Sequence, residues 1–440
     1  MGRVSETREI YKTLDLALRV GEVLLSSGAG AADVAATMLS VARATGLRGV
    51  DVDVTFTALS MSHQPSYDEP AMIQTRNVKQ RDIDYEDLTN VDIIITELIR
   101  GDIDRDQARS RLAQIVSSGH RLPRWASTLG WGYMGMGVGL LVGGDWIVVL
   151  IAFAAAIGIV LLQRWMSLRR LPSFYQQVAG GLLATLLATG VAATEVPVDP
   201  SLAVTASIIM LLAGIGFMGA VQDALTGYYI TAGARLLEVM LATAGIIAGV
   251  SGGLTVAQMM DVPIALDPGA AVFSDLPLVT FGAALCAGAF AFASYAPYRS
   301  LLPIALIGGL GQLISYLMDV QGFGRAWSAA LAAIAIGVVS YAVAGRVRVP
   351  PLVVVVSAIV PLLPGLSIYR ALSEMAAGET AGILSMATAA AIAIALASGV
   401  ILGEYIAQPL KREVRRLEDR LSGPRLVGPL RARAVKREKV

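Results

Sequence analysis

Residues 126–407 form a tract of 282 residues that holds only 9 basic and 12 acidic side chains. Soluble domains carry roughly 25% charged residues, so this tract lacks the polar surface to cover itself in water and belongs in lipid. Residues 1–125 carry 15 Lys and Arg against 18 Asp and Glu, the ordinary balance of a soluble domain. Residues 408–440 carry 11 basic against 4 acidic groups. The division excludes a disordered chain, a disulfide scaffold and a freely diffusing enzyme. Cys286 is the single cysteine and lies in an apolar run, so redox chemistry and a cysteine metal site are not expected. The first 25 residues hold no continuous apolar stretch, and no secretory signal is expected there.

A spanning helix takes about 20 apolar residues. The tract divides into ten: 126–143, 146–163, 174–194, 201–221, 230–252, 277–296, 298–318, 326–345, 351–370 and 382–406. Lys and Arg in short loops set the orientation. Arg164, Arg169, Arg170, Arg299, Arg346, Arg348 and the tail from Lys411 fall on one side of a ten-span chain. The connection 253–276, with Asp261, Asp267 and Asp275 and no Lys or Arg, falls on the other. Arg325 and Arg370 run against the bias. The expectation is a multi-pass protein of the plasma membrane with both termini cytoplasmic, its basic tail on anionic lipid.

In the front segment, apolar residues from Ile10 to Leu24 recur at helical spacing and predict a helix over 5–27. Gly28 and Gly30 break it, and a second helix is expected at 31–46. Val50, Val52, Val54, Phe56 and Ala58 alternate with polar residues, the period of a half-buried strand. A partner strand is expected at 71–79 and helices at 84–100 and 105–118. This reads as a small α+β domain of 1–125 on the cytosolic side. Its candidates for chemistry are Asp33, Asp51, Asp53 and His63. Asp51 and Asp53 share a strand face and two carboxylates there can hold a metal, though a solvated face explains the same alternation. His63 has no second histidine beside it and reads as a surface residue. No Walker loop, zinc spacing or Ser-His-Asp order occurs.

The tract contains a repeat. Residues 207–227, SIIMLLAGIGFMGAVQDALTG, align with 357–378, SAIVPLLPGLSIYRALSEMAAG, at an offset of 151 that places Gly214 on Gly365 and Asp223 on Glu374. Two tandem five-span units, 126–252 and 277–406, must sit upside down relative to each other because five is odd. Inverted halves are the architecture of secondary transporters, with the substrate near the midplane. Gly214, Gly216 and Gly219 interrupt the fourth span; Pro361, Pro364 and Gly365 interrupt the ninth. Broken helices at matching places expose backbone groups to a substrate, although small residues also serve close packing. Ionisable groups in a bilayer are functional by default. Asp223, Glu238 and Glu374 are candidate proton carriers, and Arg235 and Arg370 candidate partners for a carboxylate. Arg235 and Glu238, three apart, can equally pair with each other. Gln177, Gln312 and Tyr369 complete the candidate binding set. No acidic ring or filter motif points to a channel.

SSGAGAADVAATMLSVARATGL at 26–47, DVDVTFTALSMS at 51–62, LLAGIGFMGAVQDALTGYYITAGAR at 211–235 and PLLPGLSIYRAL at 361–372 together resemble the bacterial threonine/serine exporter family. The resemblance covers nearly the whole chain. It implies export of small hydroxy amino acids driven by the proton motive force. The expected partners are therefore a small amino acid, protons and membrane lipid, with no cofactor and no nucleic acid; a homo-oligomer is compatible with the sequence. The alternatives are a dicarboxylate exporter of the same build and a membrane-anchored hydrolase acting through residues 1–125.

Overall fold

The computed structural model describes residues 2–78, 83–117, 119–194, 199–211, 214–262, 276–376 and 378–421. The protein is mainly helical with one small sheet. The front segment folds as α1 (Gly2–Ser26), α2 (Ala31–Ala44), β1 (Val50–Thr55), β2 (Ala58–His63), β3 (Met72–Asn77), α3 (Tyr85–Arg100) and α4 (Arg105–Ser117). The period-two run expected as one strand is instead two. The chain turns at Phe56, whose φ of +47° takes the left-handed region a tight hairpin needs. β1 and β2 pair antiparallel with Thr55 opposite Ala58, and β3 adds antiparallel to β2. Leu14, Leu18, Leu25, Met38, Leu59, Met61 and Val91 close a core between α1, α2, α3 and the sheet.

The apolar tract folds as α5 (Arg124–Leu141), α6 (Trp146–Leu168), α7 (Ser173–Ala192), α8 (Pro200–Ile209), α9 (Gly214–Leu225), α10 (Tyr229–Met259), α11 (Leu276–Ala293), α12 (Tyr298–Val320), α13 (Arg325–Val347), α14 (Pro351–Ile359), α15 (Gly365–Ala376) and α16 (Ala381–Leu421). A single 3-10 turn, Val360–Leu362, lies between α14 and α15. Among the described residues, six helices are long and apolar enough to cross a membrane, or up to eight if each bent pair, α8–α9 and α14–α15, is one span. The two further segments expected as spans are helices too, α5 and α7, but fall outside that group because glycine, serine, threonine and glutamine dilute them. α10 runs seven residues past the boundary expected at 252. Asp267 and Asp275, and the tail from residue 422, lie outside the described residues.

The helices pack in matching sets. α7 lies against α10 as α13 lies against α16; α6 touches α8 as α12 touches α14; α9 touches α16 as α15 touches α10. α5 and α11, the first helix of each set, pack on each other. Glycine makes the tightest of these contacts. A Cβ at Gly249 would sit 2.1 Å from the Val178 carbonyl oxygen on α7, and one at Gly399 would sit 2.7 Å from the Ala330 carbonyl oxygen on α13. The two backbones approach this closely only where no side chain intervenes.

Candidate functional site

Both interrupted segments are broken helices, and each bends by 48° at its break. The breaks meet. A Cβ on Gly214, the first residue of α9, would lie 2.9 Å from Leu363 Cβ and 3.6 Å from the Gly365 nitrogen. Pro361 ends α14 in its 3-10 turn, and Leu363 is extended, with ψ 138°. The chain then re-enters helix at Gly365. The first-turn N–H groups of α15 have no carbonyl within their own helix to bond, so they form a positive end at the break.

A cavity of about 220 Å³ opens beside this end. Gln312, Tyr316 and Asp319 of α12, Arg325 of α13, and Pro364 and Arg370 face it among others. Asp319 and Arg325 are exposed at its mouth, Arg370 is half-buried, and Gln312 is only 8% exposed. The Gln312 amide makes no hydrogen bond to any described residue. The cavity therefore brings together Gln312, Pro364 and Arg370 from the expected set, and the break beside it sets Gly214 against Gly365. Tyr316, Asp319 and Arg325 are outside the expected set: the two charges lie next to helix ends and read as boundary markers, and nothing in the sequence singles out Tyr316. Arg325 breaking the charge bias was the one signal available.

The other candidates lie elsewhere. Gln177 packs on α10 beside Gly245, and Gly216 faces Val239. Tyr369 is buried. Glu374 is half-buried and accepts a hydrogen bond from the Ser385 hydroxyl at 2.6 Å. Glu238 is exposed, whereas Arg235 turns inward, so the expected Arg235–Glu238 face is not a shared buried one. Arg235 pairs instead with Asp223, Nη1 to Oδ2 at 3.1 Å, and Asp223 is fully buried.

That pair grips the front segment. The Ala31 N–H at the start of α2 donates to Asp223 Oδ1 at 2.8 Å, and Arg235 Nη2 donates to the Ala29 carbonyl at 3.2 Å. A carboxylate at a helix N-terminus is favoured by the helix dipole. Nearby, Thr231 accepts from the Phe56 N–H at 3.0 Å and donates to the Val54 carbonyl at 3.1 Å, fastening the hairpin tip. A second cleft, about 170 Å³, lies between the front segment and the bundle and is faced by Asp33, Asp92, Gln222, Tyr341 and Glu404. The Tyr341 hydroxyl donates to Glu404. Loss of hydration pushes the Asp33 carboxyl up to about 6, with Glu404 and Asp223 adding to the rise. Burial raises Asp92 in the same way.

In the sheet, Asp51 and Asp53 face solvent, and Asp53 accepts from the Thr55 hydroxyl at 3.0 Å. His63 is buried rather than on the surface, its Nδ1 3.0 Å from the Gly49 carbonyl oxygen. His120 lies 3.2 Å from Asp84 and stacks on Tyr295.

Residues 15–257 match the family described as "Putative threonine/serine exporter", and residues 279–406 match "Threonine/Serine exporter, ThrE". The chain is 36% identical over 428 residues to a "Probable threonine/serine exporter" of Mycobacterium tuberculosis (strain ATCC 25618 / H37Rv), covering 94% of this chain and 80% of that protein. It is 32% identical over 420 residues to a "Threonine/serine exporter" of Corynebacterium glutamicum, covering 94% of this chain and 86% of that protein. No solved structure matches the chain.

Proposed function

The chain belongs to the threonine/serine exporter family, and we propose that it exports threonine, serine or a close zwitterion by proton antiport and alternating access. The observation that carries this reading is the meeting of two broken helices beside a polar cavity. The matched helix contacts support a reading of ten spans in two inverted five-span units, residues 126–252 and 277–406. Residues 1–125 form a cytosolic domain, residues 407–440 a basic cytosolic tail, and the protein sits in the plasma membrane with both termini inside.

In this reading the substrate carboxylate is met by the first turn of α15 and by Arg370, two positive features one and a half turns apart on the same helix. Ser367, three residues before Arg370, shares that helix face and offers a hydroxyl. Glu374 lies one turn beyond Arg370 and carries the proton, its charged and neutral forms both able to bond Ser385. Asp223 serves as a joint rather than a carrier, since its partners are Arg235 and the backbone of Ala31. Transport is favoured over hydrolysis because Asp51 and Asp53 point to solvent and His63 is tied to Gly49.

The test is counterflow of labelled threonine into proteoliposomes, with and without an imposed pH gradient. Uptake that the gradient stimulates is expected, together with loss of that stimulation in Glu374→Gln. Movement of neither threonine nor serine under any gradient overturns the reading.

A further inference from the structure

We propose that Gln312 selects the side-chain hydroxyl of the substrate, so that threonine and serine are held and their apolar isosteres are not. The inference deepens the exporter reading and rests on it. It starts from depth. Asp319 and Gln312 are seven residues apart on α12, two turns on one face, a rise of about 10 Å. Asp319 is exposed at the mouth and Gln312 is buried. Arg370 faces the same cavity from α15. An amino acid lying between the two helices thus meets charge at the outer level, its ammonium toward Asp319 and its carboxylate toward Arg370. Its side chain then points down toward Gln312.

The cavity is also lined by Leu141, Leu362, Leu363 and Ile392, and Leu362 reaches the level of Gln312, its Cδ1 3.6 Å from where a Cβ on Gly311 would lie. Ser328, a buried serine that also lines the cavity, already spends its hydroxyl on the Gly324 carbonyl at 2.9 Å. Gln312 is the nine-tenths-buried side chain of the cavity whose amide is uncommitted to any described residue. An amide offers both donors and an acceptor, so a hydroxyl can bond it in either sense. A bound substrate shuts solvent away from this amide, and a valine side chain then leaves the amide unpaired where threonine pairs it. Sites built to bond a hydroxyl reject the analogue that lacks it for this reason. Threonine and valine have almost the same shape, so the hydroxyl alone is read.

The experiment is competition counterflow in proteoliposomes, with labelled threonine opposed by unlabelled serine, valine and alanine. Wild-type protein is expected to favour threonine over valine by about 10- to 100-fold, the worth of one buried hydrogen-bonding group. Gln312→Met keeps the volume and removes the amide. It is expected to bring that ratio near unity, read as a rise in the apparent KM for threonine relative to that for valine. Gln312→Asn retains an amide with shorter reach and should fall between the two, which guards against a Met variant that fails to fold. Parity of threonine and valine in the wild type, or an unchanged ratio in both variants, overturns the proposal while leaving the exporter standing. Wild-type protein that moves no amino acid overturns both.

Discussion

Asp223 and Arg235 form the most enclosed ion pair among the described residues, at 0% and 8% side-chain exposure. Removing one member of a buried pair strands the other charge, which costs about 3–5 kcal/mol. Asp223→Asn is therefore expected to lower the unfolding temperature in detergent. Asp223→Asn combined with Arg235→Gln should cost less than the sum of the single changes, because the partners are coupled. A sum that is simply additive would remove the pair from this account. Asp87 makes a different kind of prediction. Burial pushes its carboxyl up to about 6, with Asp84 adding, His120 opposing and Glu86 adding. Between its ordinary 3.8 and about 6 the folded protein holds a proton that the unfolded chain has released. Stability from this group is thus greatest at low pH and declines as pH rises through that window. Asp87→Asn should flatten unfolding temperature against pH between about 4 and 6 and gain stability at pH 7. A profile identical to wild type would contradict the assignment.

At the level of helices, the two glycine contacts are equivalent in position. Gly249 seats α10 against α7, and Gly399 seats α16 against α13. Overpacking a tight contact typically costs about 1–3 kcal/mol. Gly249→Ala and Gly399→Ala are each expected to destabilise within or above that range, Gly249→Ala more, because its added carbon meets a carbonyl at 2.1 Å rather than 2.7 Å. Thermal unfolding of the two variants side by side checks the order. Pro364 acts differently. It supplies no N–H and fixes its own φ, so the break before α15 is set by the chain rather than by its neighbours.

For the molecule as a whole, the ten-span reading places Tyr67 and Phe323 on opposite sides of the membrane. Tyr67 is 98% exposed and Phe323 is 53% exposed, so cysteines at either position are open to reagent. Cys286 is buried, and Cys286→Ala removes the single native thiol at little expense in volume. In that background Tyr67→Cys should label only from the cytoplasmic side and Phe323→Cys only from outside. Labelling of both from one side would overturn the inverted arrangement. The front segment bears on the same question, since it is fastened to α9 and α10 through Asp223, Arg235 and Thr231. Any motion of α9 about its break must carry or release that segment.

Local chemistry determined much of this protein in advance. The scarcity of charge in 126–407 put the tract in lipid, Pro361 and Pro364 fixed one break, and helical spacing placed α1 to α4 within a few residues. These are properties of a residue and its near neighbours, which is why they are legible in order along the chain. The hairpin at Phe56 was not legible, because Thr55 to Ala58 continue the strand alternation and carry no glycine to mark a turn. Nor was the partner of Arg235, since Glu238 is near in sequence while Asp223 comes within reach only when α9 folds back on α10. The cavity follows the same rule. Gln312, Asp319, Arg325 and Arg370 come from three helices, and only their packing decides that an amide, a carboxylate and two guanidiniums face one space.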